Sequence, residues 1–247
     1  FGDVFVTHNL FLDAPEGPEV TALVGRLKLQ GNVEVSGFKL SPSRDVVAVL
    51  TEPNSRVRLD NVEITRAVGR APLVMQQGRR LTIDNSHIHS AALSTLSGTS
   101  AGLVVGPGPF ALRNSVVENI EASWILYKDA WRVRMLLEGN IIRNNVSEYE
   151  PLRLYGAYRA GHVEIRDNEF YSNYGGHAAV LAAELGWPHR VIMTGNRFAD
   201  NVGSVGVIVV EHRSYGMNWQ FRMHGNTFVA NRADAVLWVD YDVKMAV

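Results

Sequence analysis

The 247-residue sequence contains no cysteine, which excludes a disulfide framework, a thiolate metal site and a cysteine nucleophile. Charge bias is missing too: 24 Lys and Arg stand against 25 Asp and Glu, a formal net charge of −1. That balance gives no reason to expect nucleic acid or an anionic membrane as the main partner. Long apolar runs are absent, the longest being about six residues around Val207 to Val210, far short of the ~20 that a spanning helix needs. No direct membrane insertion is expected. Proline is scarce, with 9 residues in the chain, and the only turn-rich excursion is LDAPEGPEV at residues 12 to 20. With no internal linker, residues 1–247 read as one domain. What remains is 46% hydrophobic and 20% charged, enough apolar material for a continuous core and too little charge for a disordered chain. Phe1 opens directly into a strand-like FGDVFV with no leader sequence, and the chain reads as a segment of something longer.

A repeat organises everything else. Short alternating segments end in Asn at Asn9, Asn32, Asn61, Asn85, Asn114, Asn140, Asn168, Asn196 and Asn226, with gaps of 23, 29, 24, 29, 26, 28, 28 and 30, averaging about 27. A period of this size signals a solenoid. Each repeat carries a second apolar block 10 to 15 residues later, such as AGLVV ending at Val105, WILY at Tyr127, AVLAA at Ala183 and VIVV at Val210. Between them lies a third short strand, clearest in GNIIRNN, DNEFYSN, GNRFADN and GNTFVAN, where a second Asn follows five residues after the first, at Asn145, Asn173, Asn201 and Asn231, as does Asn119 in RNSVVEN.

In the first strand Val57/Leu59, Leu81/Ile83, Val163/Ile165, Val191/Met193 and Phe221/Met223 alternate with outward Arg58, Thr82, Glu164 and Arg222, the period of a half-buried strand. Blocks of four to six residues, rich in Val and Ile and punctuated by Asn and Gly, do not suit helices. Equivalent strands at this period must run the same way, so the chain winds as a coil whose strands stack in parallel about 4.8 Å apart. The expected fold is all-β: a right-handed parallel β-helix of about eight coils, with three short strands in each. Asn is assigned two roles at its corner, tolerance of the left-handed backbone and hydrogen bonding to the same Asn of the next coil. Phe170, Phe198 and Phe228 are expected to stack inside.

On the GN-x-F-x-x-N runs at Asn168, Asn196 and Asn226, the chain resembles the right-handed parallel β-helix repeat family. That pectate-lyase-like architecture is shared by polysaccharide lyases and by many noncatalytic extracellular modules. Among the latter it is similar to the tricellular-junction proteins of the Anakonda (Bark beetle) type. The resemblance implies an extracellular or cell-surface location.

Enzymes of this superfold place carboxylates, Arg or Lys on one outward sheet, so the informative question is which charged residues stack. Glu184, Glu211 and Asp240 each end the second apolar block at gaps of 27 and 29, with Asp129 two coils earlier and Glu52 further back. Lys128, His212 and Arg213 are adjacent in sequence. A lyase needs a base near a sugar C5 proton and a cation to neutralise the uronate, whereas a hydrolase needs two carboxylates at a defined separation. Glu184, Glu211, Asp240, His212 and Arg213 are the candidates for either. Against them, Tyr155-Gly156 interrupts the acidic column, and like charges about 5 Å apart in water repel by only about 0.8 kcal/mol. A solvated row of strand ends explains the column without chemistry. No cofactor is expected, calcium on the three carboxylates being the one alternative. His87 and His89 are expected on opposite faces of a strand, and no transition-metal site is assigned.

Trp131, Trp187 and Trp219 fall in the loop before successive first strands, with Tyr158 in the intervening coil. They suggest an aromatic stripe for sugar rings or a protein partner. Asn145-Val-Ser147 is the single glycosylation sequon and overlaps a corner Asn. The leading expectation is a noncatalytic module of a larger protein, a rigid scaffold meeting protein or glycan at a cell surface and continuing into further domains. The alternative is a uronate lyase, glycoside hydrolase or carbohydrate-binding β-helix using the Glu184/Glu211/Asp240 face. An excised coil exposes unpaired ends, so the segment is expected to aggregate or pair end to end.

Overall fold

A computed structural model describes residues 2–65, 67–93, 100–129, 134–156, 161–185, 190–212, 219–239 and 243–246. Among the described residues there is no helix, and the chain forms a parallel β-solenoid of about eight turns. Three strand columns run along its axis. The first is a separate ten-stranded sheet; the second and third join into one 20-stranded sheet because long strands such as Val116–Asp129 and Val146–Gly156 turn the corner between them without breaking.

Alternation decides what goes inside. Leu59, Ile83, Leu112, Leu137, Ile165 and Met193 are buried in one inward row of the first column, each in register with its neighbour. In the second column the inward row runs Leu40, Ile64, Ile88, Val117, Ile142, Phe170, Phe198. The expected phenylalanine stack is present: the ring centroids of Phe170 and Phe198 are 5.0 Å apart and those of Phe198 and Phe228 4.7 Å, nearly parallel. These offset stacks bury aromatic area that no single coil could cover.

Asn140, Asn168, Asn196 and Asn226 do form one corner ladder. The backbone N–H and Nδ2 of Asn140 both donate to Oδ1 of Asn168 (3.0 and 2.8 Å), and the pattern repeats to Asn196 and Asn226. A second ladder joins Asn145, Asn173, Asn201 and Asn231 at the next corner. The two roles assigned to one Asn, however, belong to two consecutive residues. The left-handed position is held by Asn61, Asn85, Asn114, Gly139, Asp167, Gly195 and Gly225, at φ between 47° and 65°. The ladder is built by the residue after it, which in the earlier coils is Ser86 and Ser115: Ser115 Oγ accepts from the Ser86 N–H, and Asn140 Oδ1 from the Ser115 N–H. Asn61, Asn85 and Asn114 therefore occupy the strained corner, which Asn tolerates, and not the ladder. Asn119, at φ 55°, departs from the second ladder in the same way.

The first coils are also phased differently from the repeat read by eye. Leu27–Leu29 pairs with Val49–Thr51, in the third column, whereas the partner of Arg56–Asp60 is Asn32–Ser36. Asn9 thus stands just before the first-column strand Leu10–Asp13 and Asn32 opens the first-column strand Asn32–Ser36, so neither shares the corner of Asn61. Thr82 keeps the outward register of Arg58 but is nearly covered there, at 7% exposure. Lys128 is in register with Val105 and Leu154, so it points inward, fully buried, with Nζ donating to the carbonyls of Gly106 (2.6 Å) and Gly108 (2.8 Å).

Candidate functional site

The third column's outer face carries a polar network centred on Arg153. Glu184 and Glu211 are register partners, and Tyr155 stands opposite Glu184 as the interruption in the column. Arg153 lies two residues before Tyr155, on the same face by the strand's period of two. Its Nη2 donates to Glu184 Oε2 and its Nη1 to Glu150 Oε1 at 3.0 Å, while Glu211 Oε2 is 3.7 Å from Nη1. One guanidinium thus gathers carboxylates from three successive coils. His177 bridges the same group, with Nδ1 3.7 Å from Glu150 and Nε2 3.7 Å from Glu211. Glu184 is almost completely buried, so the acidic column is here an internally paired network and not a row of solvated strand ends.

Glu150 is the unusual member. It is 1% exposed and accepts a 3.0 Å hydrogen bond from the indole Nε1 of Trp124. Burial pushes its carboxyl above the ordinary range, outweighing the opposing pull of Arg153, the Trp124 hydrogen bond and His177. With three carboxylates to one guanidinium, the cluster carries excess negative charge when fully ionised.

Beside this network lies an aromatic platform. Trp124 stacks on Tyr127 at 4.8 Å and on Tyr149 at 5.3 Å. Trp124 and Tyr127 are half-buried and Tyr149 is 40% exposed, so the stacked group stays partly open to solvent. The sequence pointed instead to Trp131, Tyr158 and Trp187, which lie outside the described residues, as do Arg213 and Asp240. Trp219 opens the strand Trp219–His224, and His212 closes Gly206–His212 in register with Leu185; their side chains, like that of Asp129, lie outside the described residues. The missed residues had a signal. Tyr127 follows by simple alternation from inward Leu126 and Lys128. Trp124 does not, because the register shifts between Ala122 and Trp124 and the bulge reverses the phase.

A second polar row lies on the outer face of the second column. His87 and His89 are two residues apart in one strand and so share a face, contrary to expectation. Their rings stack at 4.0 Å. His87 Nε2 contacts Glu118 at 2.8 Å and His89 Nε2 contacts Glu63 at 3.0 Å. Burial tends to raise both glutamates, but hydrogen bonds from Lys39 and His89 to Glu63, and from Arg143 and His87 to Glu118, outweigh it and hold both below the usual range. Among the described residues no group of three or more His, Asp or Glu is placed to hold a metal ion.

Comparison with family models matches residues 26–228 to the right-handed β-helix region. The chain belongs to the right-handed β-helix family. The match covers most of the three-column coil, the whole of the first Asn ladder and the second as far as Asn201, and so accounts for the fold. A search of curated proteins gives no match. The family's fold carries many functions, and the site has to be read from its own chemistry.

Proposed function

We propose that the chain is a noncatalytic β-helix module of an extracellular or cell-surface protein, binding a neutral glycan on the Trp124–Tyr127–Tyr149 platform. The observation that carries this reading is the platform's position against the Glu150–Arg153–Glu184–Glu211–His177 network. Partly exposed rings offer flat apolar area with few rotamers to freeze, and a fixed polar edge beside them supplies hydrogen bonds to hydroxyl groups. The charge selects the sugar. Arg153 is already engaged by Glu150 and Glu184, so it is not free to neutralise a uronate, and the surplus carboxylate charge repels an acidic chain. A uronate lyase site requires the opposite arrangement.

One observation favours a second reading. A buried carboxyl with a raised pKa, such as Glu150, is what a glycoside hydrolase uses as general acid, with Glu184 or Glu211 as its partner. The test separates the two. The chain is titrated with neutral oligosaccharides and the bound sugars are recovered for mass spectrometry. Saturable binding, weakened about tenfold or by about 1.4 kcal/mol in Tyr149→Ala, with sugars recovered intact, is expected. Binding indifferent to Tyr149→Ala refutes the platform; cleavage that disappears in Glu150→Gln establishes the hydrolase.

A further inference from the structure

Two surfaces of opposite charge, each left uncompensated by the fold, lie on different coils of the chain. The first is on the outer face of the first column. Three adjoining depressions of about 700, 530 and 480 Å³ share Arg80, and neighbouring pairs share Arg56, Arg113 or Pro109, so they form one groove along the solenoid axis. Four of its arginines, Arg56, Arg79, Arg80 and Arg134, are exposed and make no ion pair among the described residues. Arg56 and Arg80 are register partners, so like charges stand one strand spacing, about 4.8 Å, apart. Arg134 follows two coils later at the same strand position. The carboxylates of the lining are already engaged, Glu34 and Asp84 by Arg58 and Glu164 by His162. Pro107, Pro109 and Leu136 lie among the charges, and the one aromatic residue of the lining, Phe110, is 2% exposed. The groove therefore offers guanidinium groups and aliphatic surface, with no ring face for a sugar or a base.

The second surface is the proline-containing excursion between the strands Leu10–Asp13 and Ala22–Val24. Asp13, Glu16 and Glu19 recur there every third residue, exposed and in no ion pair among the described residues, and no Lys or Arg stands between Leu10 and Gly25. Phe11 and Val20, 58% and 64% exposed, flank the carboxylates. The excursion is braced. Pro15 and Pro18 fix φ at two of its positions; the Ala14 N–H donates to the Ser36 carbonyl at 2.9 Å, and the Gly17 and Thr21 N–H groups donate to the carbonyls of Ala14 and Gly17 at 2.9 and 3.2 Å. A loop held this way loses little freedom on docking. It cannot lie along its own groove. The order of strand pairing puts it on the first coil and Arg56, Arg80 and Arg134 on the third, fourth and sixth, so Arg134 is about 24 Å from Asp13 along the axis at one strand spacing per coil.

We propose that the groove is the docking site for the acidic excursion of a second copy of this chain, with Asp13, Glu16 and Glu19 on the unpaired arginines and Phe11 and Val20 on the aliphatic lining. Charge complementarity selects this occupant: carboxylates without a partner meet guanidinium groups without a partner. Guanidinium forks take carboxylates in bidentate fashion. Exposed ion pairs alone contribute little, and here Phe11 and Val20 add apolar burial against Pro107, Pro109 and Leu136, with Phe11 as the aromatic anchor. Loop and groove are different surfaces, so the contact is heterologous: a docked copy still has a free groove or a free loop, and association continues beyond a pair. The module thereby self-associates through its side, on a face separate from the glycan platform. Unlike pairing of strand ends, this contact depends on charge.

The test is sedimentation of the whole chain across a range of concentrations at low and high salt. Association should grow with concentration and weaken as salt rises. The groove variant Arg56→Glu/Arg80→Glu/Arg134→Glu and the loop variant Asp13→Lys/Glu16→Lys/Glu19→Lys should each self-associate at least about tenfold more weakly. A control, Arg197→Glu/Arg222→Glu/Arg232→Glu, changes the net charge as the groove variant does, on exposed residues outside the groove, and should associate like the native chain. Mixing the groove and loop variants should restore association with both in equal amounts, because the intact loop of one meets the intact groove of the other; two misfolded chains would not recover in this way. A native chain that stays monomeric at low salt, association that ignores salt or survives either variant, equal loss in the control, or a mixture that associates no better than its parts would each overturn the proposal.

Discussion

Asn196→Ala probes the device that holds the coils in register. Asn196 is 1% exposed. Its Oδ1 accepts from the backbone N–H of Asn168 at 3.0 Å and from Asn168 Nδ2 at 2.9 Å; its Nδ2 donates to the Ile165 carbonyl and to Asn226 Oδ1, both at 2.8 Å. Truncation removes all four bonds. The Asn168 side-chain amide keeps the Leu137 and Arg166 carbonyls, but the Asn168 backbone N–H loses its acceptor, Asn196 Oδ1. Four bonds at about 1 kcal/mol net each, one of them leaving a buried donor unsatisfied, give a loss of roughly 3–5 kcal/mol. That is a large share of a typical 5–15 kcal/mol stability. The molecule contains its own control. At equivalent corners Ser115 Oγ accepts from the Ser86 N–H at 3.1 Å, and Ser86 Oγ from the Val62 N–H at 3.2 Å. Asn196→Ser therefore keeps the essential acceptor and should recover roughly 1–2 kcal/mol of the loss. Urea midpoints give the totals, and amide exchange at Asn168 gives the local effect: fast in the Ala variant, slow in the Ser variant. Equal destabilisation by Ala and Ser, or a loss below about 1 kcal/mol for Ala, would show that the ladder is a packing feature and that the hydrogen bonds contribute little.

Further outcomes follow from the same geometry. Asn85→Ala, at φ 50°, should be about 1–2 kcal/mol less stable by chemical denaturation than Asn85→Gly through backbone strain, since both variants lose the Asn85 Nδ2 bond to Asp60 Oδ1; the reverse order would refute the left-handed corner assignment. Phe198→Ala, in the middle of the stacked core rings, should cost roughly 3–5 kcal/mol, measured by the same urea titration. Because burial raises the Glu150 carboxyl in the folded chain, the unfolded chain loses that proton first as pH rises. Stability should then fall through the window above the unfolded value of 4.5, and Glu150→Gln should flatten that fall in a pH series of thermal melts. With pectate or alginate at neutral to mildly alkaline pH, with or without calcium, no unsaturated product should form; absorbance from new double bonds, lost in Glu211→Gln, would make the protein a lyase.

Much of the fold was legible because a solenoid repeats its instructions. Val163/Ile165 and Val191/Met193 each state the same inward pair, and Phe170, Phe198 and Phe228 mark one column at sight. Legibility failed where two residues share a corner. Asn serves both the left-handed position, as at Asn114, and the ladder, as at Asn140, and the sequence does not show which until Gly139 or Asp167 takes the first role. The site was half legible: Glu184 and Glu211 stack as their spacing requires, yet their partner Arg153 belongs to the coil whose Tyr155 had been read as a gap. Glu150 and Trp124 were hidden by a bulge that reverses inward and outward phase.

The most direct measurement for the glycan platform is the indole N–H resonance of Trp124, assigned by Trp124→Phe in the nitrogen-15-labelled chain. That proton is donated to Glu150 Oε1, at the junction of the rings and the carboxylate network. Titration with a neutral hexasaccharide that binds should shift it saturably, and hexagalacturonate should leave it in place. A Trp124 resonance that stays still while the neutral sugar binds, or that moves with the acidic sugar instead, would contradict the assignment of this face to a neutral glycan.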